Sequence, residues 1–412
     1  MSQVIDLFLQ YIKIHTTSDE NAKTFPSTER QFHIARLLKE QLQTMSGVTA
    51  ELDENYGYVY AMLPSNQPET LDIPAIGFLA HMDTSPDAKG ENVCPHIVYN
   101  YDGNDILLND TLDICLKPSV FPELTQYIGK DLIVTDGTTL LGADDKAGIA
   151  EIMTLLSVLS SHSEIPHGTI CVAFTPDEEI GCGTDHFDVS RFGANFAYTV
   201  DGGALGELEY ENFNAASATL TVQGKSVHPG EAKSKMQNAL LLAYEFHSLL
   251  PAMENPMYTE GYEGFYHPTD INGSVEQAVM HYIIRDHDRK KFEAKKERFR
   301  KTAAFLNEKY GESIFSVSIE DSYYNMKEMI APHMHLIENA VHAMEKLNIT
   351  PNIRPIRGGT DGARLSFMGL PCPNLGTGGH NFHGRYEYIC IQSMEKTVEL
   401  LLKIVELYAL KK

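Results

Sequence analysis

The chain has 412 residues, a formal net charge of −23 and 43% hydrophobic residues. The chain is longer than most domains with a single hydrophobic core, and its length therefore predicts two domains. The charge excludes nucleic acid as a partner, because phosphates require a basic surface. No apolar stretch is long enough to span a membrane, and six scattered cysteines without a C-x-x-C pair are typical of a reduced, cytoplasmic protein. The first twenty residues have the apolar spacing of a surface helix and lack the pattern of a signal peptide.

Short apolar runs of strand length alternate with a helical pattern in the first half of the chain. The predicted strands are 75–80, 131–135, 169–175 and 196–200, and a helix is predicted over 147–159. This alternation predicts an α/β domain whose mostly parallel mixed sheet is flanked by helices.

The pattern changes after about Phe213 and returns to the α/β type after about Tyr324. Between them the sequence predicts strands at 216–228, 279–284 and 313–319 and helices at 237–250 and 289–310. After them it predicts helices at 333–347 and 392–410 and strands near Ile353 and at 372–375. We therefore predict a first domain formed by residues 1–212 and 324–412, interrupted by a smaller α+β domain at 213–323.

Four clusters of acidic or histidine residues follow the four predicted strands. They are HMD at 81–83, GADDKAG at 142–148, DEE at 177–179 and DGG at 201–203. Ligands of open parallel sheets bind beyond the carboxyl ends of the strands, so the clusters are expected to converge although they are distant in sequence.

Each cluster alone also has an ordinary explanation. His81 and Asp83 share one face of an extended segment, where Asp83 can orient the imidazole, but a turn aspartate beside a histidine is more common. Asp144 and Asp145 suit a helix N-terminus as well as a metal site. Asp144 has two oxygens that could bridge two cations, whereas Asp145 is expected to stay outside the coordination sphere. Asp201 with its two glycines could be a simple turn.

Two adjacent carboxylates follow the third predicted strand, where their repulsion requires compensation. If Glu179 binds a cation, Glu178 remains free as a general base. A late loop, GGHNFHGRYE at 378–387, contains His380 and His383, and either could be a ligand.

Together these residues supply two sets of ligands. One cation would take His81, Asp144 and Asp201, and the other would take Asp144, Glu179 and a late histidine. Nitrogen and oxygen ligands without a thiolate suit Zn²⁺, with Co²⁺ or Mn²⁺ as substitutes. Neither set completes a coordination sphere, which is typical of a catalytic rather than a structural site.

The motifs HMD, GADDKAG, DEE, VDGG and HGRYE resemble those of the dinuclear zinc metallopeptidases that include carboxypeptidase G and succinyl-diaminopimelate desuccinylase. Residues 131–153 and 353–387 look like the tripeptide aminopeptidases of that family, and the resemblance covers essentially the whole chain. It implies two Zn²⁺ ions bound by His81, Asp144, Glu179, Asp201 and His383. It also implies Glu178 as the general base, Asp83 as the support of His81, and a cis peptide between Asp144 and Asp145. Domain 213–323 would serve as a lid and as the interface of a homodimer.

The resemblance implies a zinc-dependent aminopeptidase that acts on short peptides with a free N-terminus. A metal-bridging water would attack the first peptide carbonyl, and Glu178 would pass its proton to the leaving amine. His228 matches a lid histidine that reaches the reacting carbonyl. Arg285 and Arg357 are candidates for binding the C-terminal carboxylate of the peptide.

Two kinds of alternative remain open. A dipeptidase, a carboxypeptidase or an N-acyl amino-acid deacylase would use the same centre with a different pocket. A non-catalytic acidic protein with a structural metal is the alternative from another class, and the incomplete coordination counts against it.

Overall fold

The computed structural model describes residues 2–311 and 313–410, and the chain divides into two compact units. The first unit consists of Met1–Tyr210, Glu328–Arg354 and Thr360–Lys412. The second unit consists of Glu211–Lys327 and Pro355–Gly359. The chain enters the second unit at Glu211 and leaves it after Lys327, whereas the sequence pattern placed these boundaries at 213 and 323 and did not assign the short segment Pro355–Gly359 to the second unit.

The strands, in chain order, are β1 (Thr49–Leu52), β2 (Val59–Leu63), β3 (Ile76–His81), β4 (Pro95–Val98), β5 (Ile106–Asn109), β6 (Ile114–Leu116), β7 (Leu132–Thr135), β8 (Ile170–Thr175), β9 (Phe196–Val200), β10 (Glu207–Glu209), β11 (Asn214–Gln223), β12 (Phe265–Gly273), β13 (Gln277–Asp286), β14 (Phe315–Tyr323), β15 (Asn352–Ile353), β16 (Asn374–Leu375), β17 (Gly379–His380) and β18 (Tyr388–Cys390). The α-helices are α1 (Gln3–Tyr11), α2 (Gln31–Gln43), α3 (Ala143–Ser161), α4 (Val189–Phe192), α5 (Ala239–Ser248), α6 (Arg289–Tyr310), α7 (Lys327–Ile330), α8 (His335–Lys346), α9 (Asp361–Phe367) and α10 (Ile391–Leu410).

The first unit is built on an eight-stranded mixed sheet with the order β1-β2-β8-β3-β9-β16-β10-β15. Its centre is parallel, because β3 pairs in parallel with β8 and β9, and β9 with β16. All residues of β3, β8 and β9 are buried, which explains their continuous apolar sequences. Helices α1 and α10 pack on α3, which covers β3. The predicted α/β class is confirmed, and the carboxyl ends of three central strands open at one edge of the sheet.

Strand β7 does not belong to this sheet. It pairs antiparallel with β4 and β18 in a second sheet of order β17-β18-β7-β4. Its inclusion in the parallel sheet was therefore wrong, because a short buried run such as LIVT has the same appearance in a parallel strand and in a fully covered antiparallel strand. The chain after β7 nevertheless enters α3, which packs closely on β9. A Cβ atom at Gly148 would lie 1.9 Å from the carbonyl oxygen of Val200, so glycine is required there.

The second unit is a four-stranded antiparallel sheet of order β12-β13-β11-β14 with α5 and α6 packed on it. Its own core includes Phe246, Phe292 and Phe299. This arrangement confirms the smaller α+β unit, although strand β12 was not predicted. Within residues 2–311 and 313–410, no helix combines the length and the apolar character that crossing a bilayer requires.

Candidate metal centre

Three central strands of the first unit end beside one another in polar residues. His81 is the last residue of β3, and Asp201 directly follows β9. Glu178 and Glu179 open a short 3₁₀ turn, Glu178–Ile180, just after β8. These positions place the predicted residues of three clusters at the same edge of the sheet, where ligands of such sheets bind.

The remaining residues reach the same edge from loops outside the large sheet. Asp144 lies at the start of α3 with non-helical backbone angles of φ −86° and ψ 104°. His383 lies between β17 and β18 and has a positive φ of 60°. The peptide bond between Asp144 and Asp145 is cis, as the family resemblance implied.

Asp144 faces two different histidines with its two carboxylate oxygens. Its Oδ1 lies 2.9 Å from Nε2 of His81, and its Oδ2 lies 3.2 Å from Nε2 of His383. Two groups of potential ligand atoms result, one from His81, Asp144 and Asp201, and one from Asp144, Glu179 and His383. Within each group all these atoms lie within 4.8 Å of one another. Asp144 is shared by both groups, which is the arrangement expected of a bridging carboxylate.

The electrostatics of these side chains fit a pair of divalent cations. Burial and then the charge of the nearby Asp144 carboxylate raise the pKa of Glu179 to about 7, although the hydrogen bond with His383 opposes this rise. Burial also raises the pKa of Asp201 well above its ordinary value, although His81 opposes this rise. Oε1 of Glu179 is buried and has no hydrogen-bond partner among the described residues. Crowded, buried carboxylates with a free oxygen are unfavourable alone, and bound cations would compensate them.

The two histidines are held as strongly basic groups in this arrangement. Burial lowers the pKa of His81, but the hydrogen bond with Asp144 and the charge of Asp201 outweigh it and raise this pKa well above the ordinary value. Hydrogen bonds with Asp144 and Glu179 raise the pKa of His383 to about 11. Burial acts to raise the pKa of Asp144, yet its hydrogen bonds with His383 and His81 keep it below the usual range.

Asp83 connects His81 to the short turn Glu178–Ile180, which we call the acidic turn. Nδ1 of His81 lies 3.1 Å from the main-chain oxygen of Asp83 and 3.4 Å from its Oδ1. The Asp83 carboxylate also accepts hydrogen bonds from the backbone N–H groups of Glu178 and Glu179, at 3.0 and 3.2 Å. Asp83 is completely buried, so it fixes the imidazole and the turn together.

Two further acids support this centre and were missed as functional residues. Oδ2 of Asp87 lies 3.2 Å from Nδ1 of His383, which parallels the relation of Asp83 to His81. The buried carboxylate of Glu387 accepts hydrogen bonds from the N–H groups of Leu141, Gly142 and Asp144, at 2.6, 2.8 and 3.1 Å. Glu387 was only a landmark of the late motif, and the MDTSPD segment gave no periodic signal for Asp87.

Glu178 stands apart from the other acids. Its carboxylate accepts no hydrogen bond from the described residues, whereas burial raises its pKa well above the ordinary value and His81 opposes that rise. A carboxylate that is uncommitted and has a raised pKa is suited to accept a proton.

Two neighbouring residues are engaged elsewhere. Nε2 of His380 lies 2.6 Å from the hydroxyl of Tyr127, and its ring stacks on Tyr388. Burial lowers the pKa of His380 to about 4, so His380 is the structural histidine of the late loop. The carboxylate of Asp145 accepts hydrogen bonds from the N–H groups of His81 and Gly148 and stays outside the two ligand groups, as expected.

The residues proposed to bind substrate all lie in the second unit. His228 is exposed, and its Nδ1 accepts a hydrogen bond from the N–H of Gly230. Arg285 donates from Nη1 to the carbonyl oxygen of Arg357, and its buried Nε has no partner in the described chain. Both arginines pack near the ring of Phe265.

Both terminal nitrogens of the Arg357 guanidinium donate hydrogen bonds to one loop. Its Nη1 donates to the carbonyl oxygens of Gly261 and Glu263, at 2.7 and 3.1 Å. Its Nη2 donates to the carbonyl and hydroxyl oxygens of Thr259, at 3.2 and 3.0 Å. Arg357 therefore holds the 259–263 loop, and its role in binding the peptide carboxylate stays a prediction.

Comparisons with known proteins show which proteins this chain resembles. A family model described as the peptidase dimerisation domain matches residues 210–313. Peptidase T of Caldanaerobacter subterraneus subsp. tengcongensis is 58% identical over 411 residues, covering 100% of both chains. The fold is similar to that of aminopeptidase PepT from Bacillus cereus, with a TM-score of 0.77 and 24% identity over 99% of this chain and 98% of that one. A tripeptidase from Staphylococcus aureus has a TM-score of 0.79 and 22% identity, with the same coverage.

Proposed function

The chain belongs to the peptidase T family of M20 peptidases and is a peptide hydrolase, and we propose that it removes the N-terminal residue of tripeptides at a centre of two metal ions. The membership agrees with the resemblance found in the motifs. The observation that carries the proposal is the Asp144 carboxylate, which faces His81 with one oxygen and His383 with the other.

The residues that would hold the two cations are those of the two ligand groups. His81, Asp144 and Asp201 would bind one, and Asp144, Glu179 and His383 the other. The nitrogen and oxygen donors favour Zn²⁺, with Co²⁺ or Mn²⁺ as substitutes. When bound, the cations would supply polarisation of the scissile carbonyl and a lowered pKa of the attacking water.

The side chains of this protein would then carry out the proton transfers. Glu178 accepts the proton from the attacking water and returns it to the amine that leaves. Asp83 holds the peptide N–H groups of Glu178 and Glu179, so the base keeps its place beside the ligand. In the second unit, Arg285 is the better candidate for the C-terminal carboxylate of the peptide, and His228 is proposed to contact the reacting carbonyl.

The test compares four peptides that begin with the same residues: a tripeptide, its N-acetylated form, the dipeptide made of its first two residues, and a tetrapeptide that extends the tripeptide by one residue. We expect rapid release of the first residue from the free tripeptide only, since the proposed enzyme requires a free amine and a nearby carboxylate. Cleavage of the acetylated peptide, or release of the C-terminal residue, would instead favour the deacylase or carboxypeptidase alternative. Glu178→Gln should abolish turnover and retain both metals, and retained turnover would exclude Glu178 as the base.

Assembly and location complete the proposal. The match of residues 210–313 to a dimerisation domain supports a homodimer formed through the second unit. All six cysteines are free, which supports the cytoplasmic location expected from their spacing. Sedimentation equilibrium at micromolar concentration tests the dimer, which should have about twice the mass of one chain.

A further inference from the structure

The residue before the proposed base has an uncommon backbone conformation. Asp177 has φ 55° and ψ 27°, in the left-handed region that residues other than glycine rarely adopt. It is only 1% exposed. A buried residue in this conformation requires its surroundings to hold it there.

Asp177 is held by a short segment at the start of α2. Its carboxylate accepts hydrogen bonds from the N–H and the hydroxyl of Ser27, both at 2.5 Å, and from Nε2 of Gln31 at 2.6 Å. The N–H of Asp177 donates in return to Oε1 of Gln31, at 3.1 Å. Gln31 is itself 1% exposed. The amide of Gln31 therefore recognises both the side chain and the backbone of Asp177.

The segment that carries Ser27 and Gln31 is also anchored. The ring of Phe25 lies 5.8 Å from that of Tyr58 and 4.8 Å from that of His186. The hydroxyl of Tyr58 donates to the carbonyl oxygen of Gly183, which follows the acidic turn. Thus the 25–31 segment and the acidic turn pack on one another.

The acidic turn is consequently fixed from two directions. Asp83 accepts the N–H groups of Glu178 and Glu179, while Gln31 and Ser27 hold the residue that precedes them. Glu178 itself accepts no hydrogen bond from the described residues, so its position depends on the backbone that carries it. Small displacements of a catalytic group can reduce a rate by about 100-fold.

We propose that Gln31 and Ser27 are positioning residues, which act through Asp177 to place Glu178 for proton transfer. This inference rests on the proposed function of Glu178 as the base. Gln31 lies 146 positions before Asp177, and neither residue belongs to the two ligand groups. Their loss should therefore slow catalysis without removing metal.

The test exchanges the donor and the acceptor of the side-chain hydrogen bond between Gln31 and Asp177. Gln31→Glu alone sets two carboxylates against each other. Asp177→Asn alone directs an NH2 group either at the N–H of Ser27 or at Nε2 of Gln31, so one hydrogen bond of the cluster is lost in either orientation. The double variant Gln31→Glu/Asp177→Asn restores the hydrogen bond between the two side chains with donor and acceptor exchanged, while the backbone N–H of residue 177 still donates to residue 31 and the net charge is unchanged. Each single variant should lower kcat by about 10- to 100-fold with KM within about twofold of the wild type and two metals per chain. The double variant should recover most of kcat.

Gln43→Glu is the matched control, because Gln43 lies on the same helix but is exposed, and its kcat should be unchanged. Ser27→Ala is a milder variant that should lower kcat severalfold even if the charged variants fold poorly. Wild-type kcat in Gln31→Glu and in Ser27→Ala would overturn the proposal, as would single variants that lose metal and a double variant without recovery. Glu178→Gln separates the two hypotheses. If this variant still turns over substrate, Glu178 is not the base. If Glu178→Gln is inactive but Gln31→Glu has wild-type activity, only the positioning role is rejected.

Discussion

Oδ2 of Asp144 lies 3.2 Å from Nε2 of His383, although the two residues are 239 positions apart in the sequence. The carboxylate comes from the start of α3 and the imidazole from the loop between β17 and β18. The second ligand group is therefore completed only when the C-terminal part of the chain has folded onto the first part. The other oxygen of Asp144 faces His81, so one side chain couples both groups.

The two histidines of the late loop should differ sharply when they are replaced. His383→Gln removes a proposed ligand and should reduce the bound metal from two ions to one per chain, with at least about 100-fold loss of kcat. His380→Gln is the matched control, because His380 contacts Tyr127 rather than the ligand groups, and it should keep two ions. Metal analysis after dialysis measures both. Equal loss in the two variants would contradict the assignment.

Asp87 should strengthen metal binding through His383. Replacement by Asn keeps the size of the side chain but weakens its interaction with Nδ1 of His383. Groups that orient a metal-binding histidine typically contribute 10- to 100-fold to affinity, and the side chain of Asp87 is 69% exposed, so we expect about 10-fold. Competition with a chelator measures this value. Asp110→Asn, at an exposed turn, is the control, and an affinity equal to it would exclude the role of Asp87.

Metal binding should release protons. His383, with a pKa of about 11, is protonated in the metal-free protein at pH 8 and must lose that proton to bind a cation. Glu179, with a pKa of about 7, holds a further proton in part of the molecules at pH 6.5. Metal affinity should therefore fall as the pH falls, and more protons should be released at pH 6.5 than at pH 8. Calorimetry in buffers of different ionisation enthalpy counts them. Enthalpies that do not depend on the buffer would contradict this prediction.

Replacement of Arg285 should weaken substrate binding, whereas replacement of Arg357 should lower stability. Arg285→Met should raise the KM for tripeptides about 10-fold or more, because it removes the proposed partner of the C-terminal carboxylate. The KM for the corresponding dipeptides should change less. Arg357→Met removes four hydrogen bonds to the 259–263 loop and should cost roughly 2 kcal/mol of stability in the second unit. Steady-state kinetics and thermal unfolding test the pair. The reverse pattern would identify Arg357, and not Arg285, as the residue that binds the carboxylate.

The sequence indicated three of the proposed ligands because they lie at or just beyond the ends of strands whose apolar character is unmistakable, whereas Asp144 and His383 lie outside those strands. β3, β8 and β9 are buried over their full lengths, so His81, Glu179 and Asp201 stand out as polar residues at strand ends. The choice of His383 over His380 came from the family resemblance rather than from spacing. The structure supplies a physical reason for this choice, since burial against Tyr127 and Tyr388 occupies His380.

Other features left no local signal in the sequence. β12 has the sequence FYHPTDING and lies at an edge of its sheet with mostly exposed residues, so it shows neither apolar alternation nor high strand propensity. The contacts of Asp87 with His383 and of Gln31 with Asp177 join segments 296 and 146 positions apart. Such contacts depend on loop geometry, which hydrophobic periodicity does not encode.

Metal content per chain in three proteins tests the shared carboxylate most directly. After reconstitution with Zn²⁺ and dialysis, the wild type should retain two ions and Asp201→Asn one, because Asp201 belongs to a single ligand group. Asp144→Asn should retain neither ion tightly, since Asp144 belongs to both groups. An Asp144→Asn protein that keeps one or two tightly bound ions, or a wild type that never binds more than one, would contradict the account.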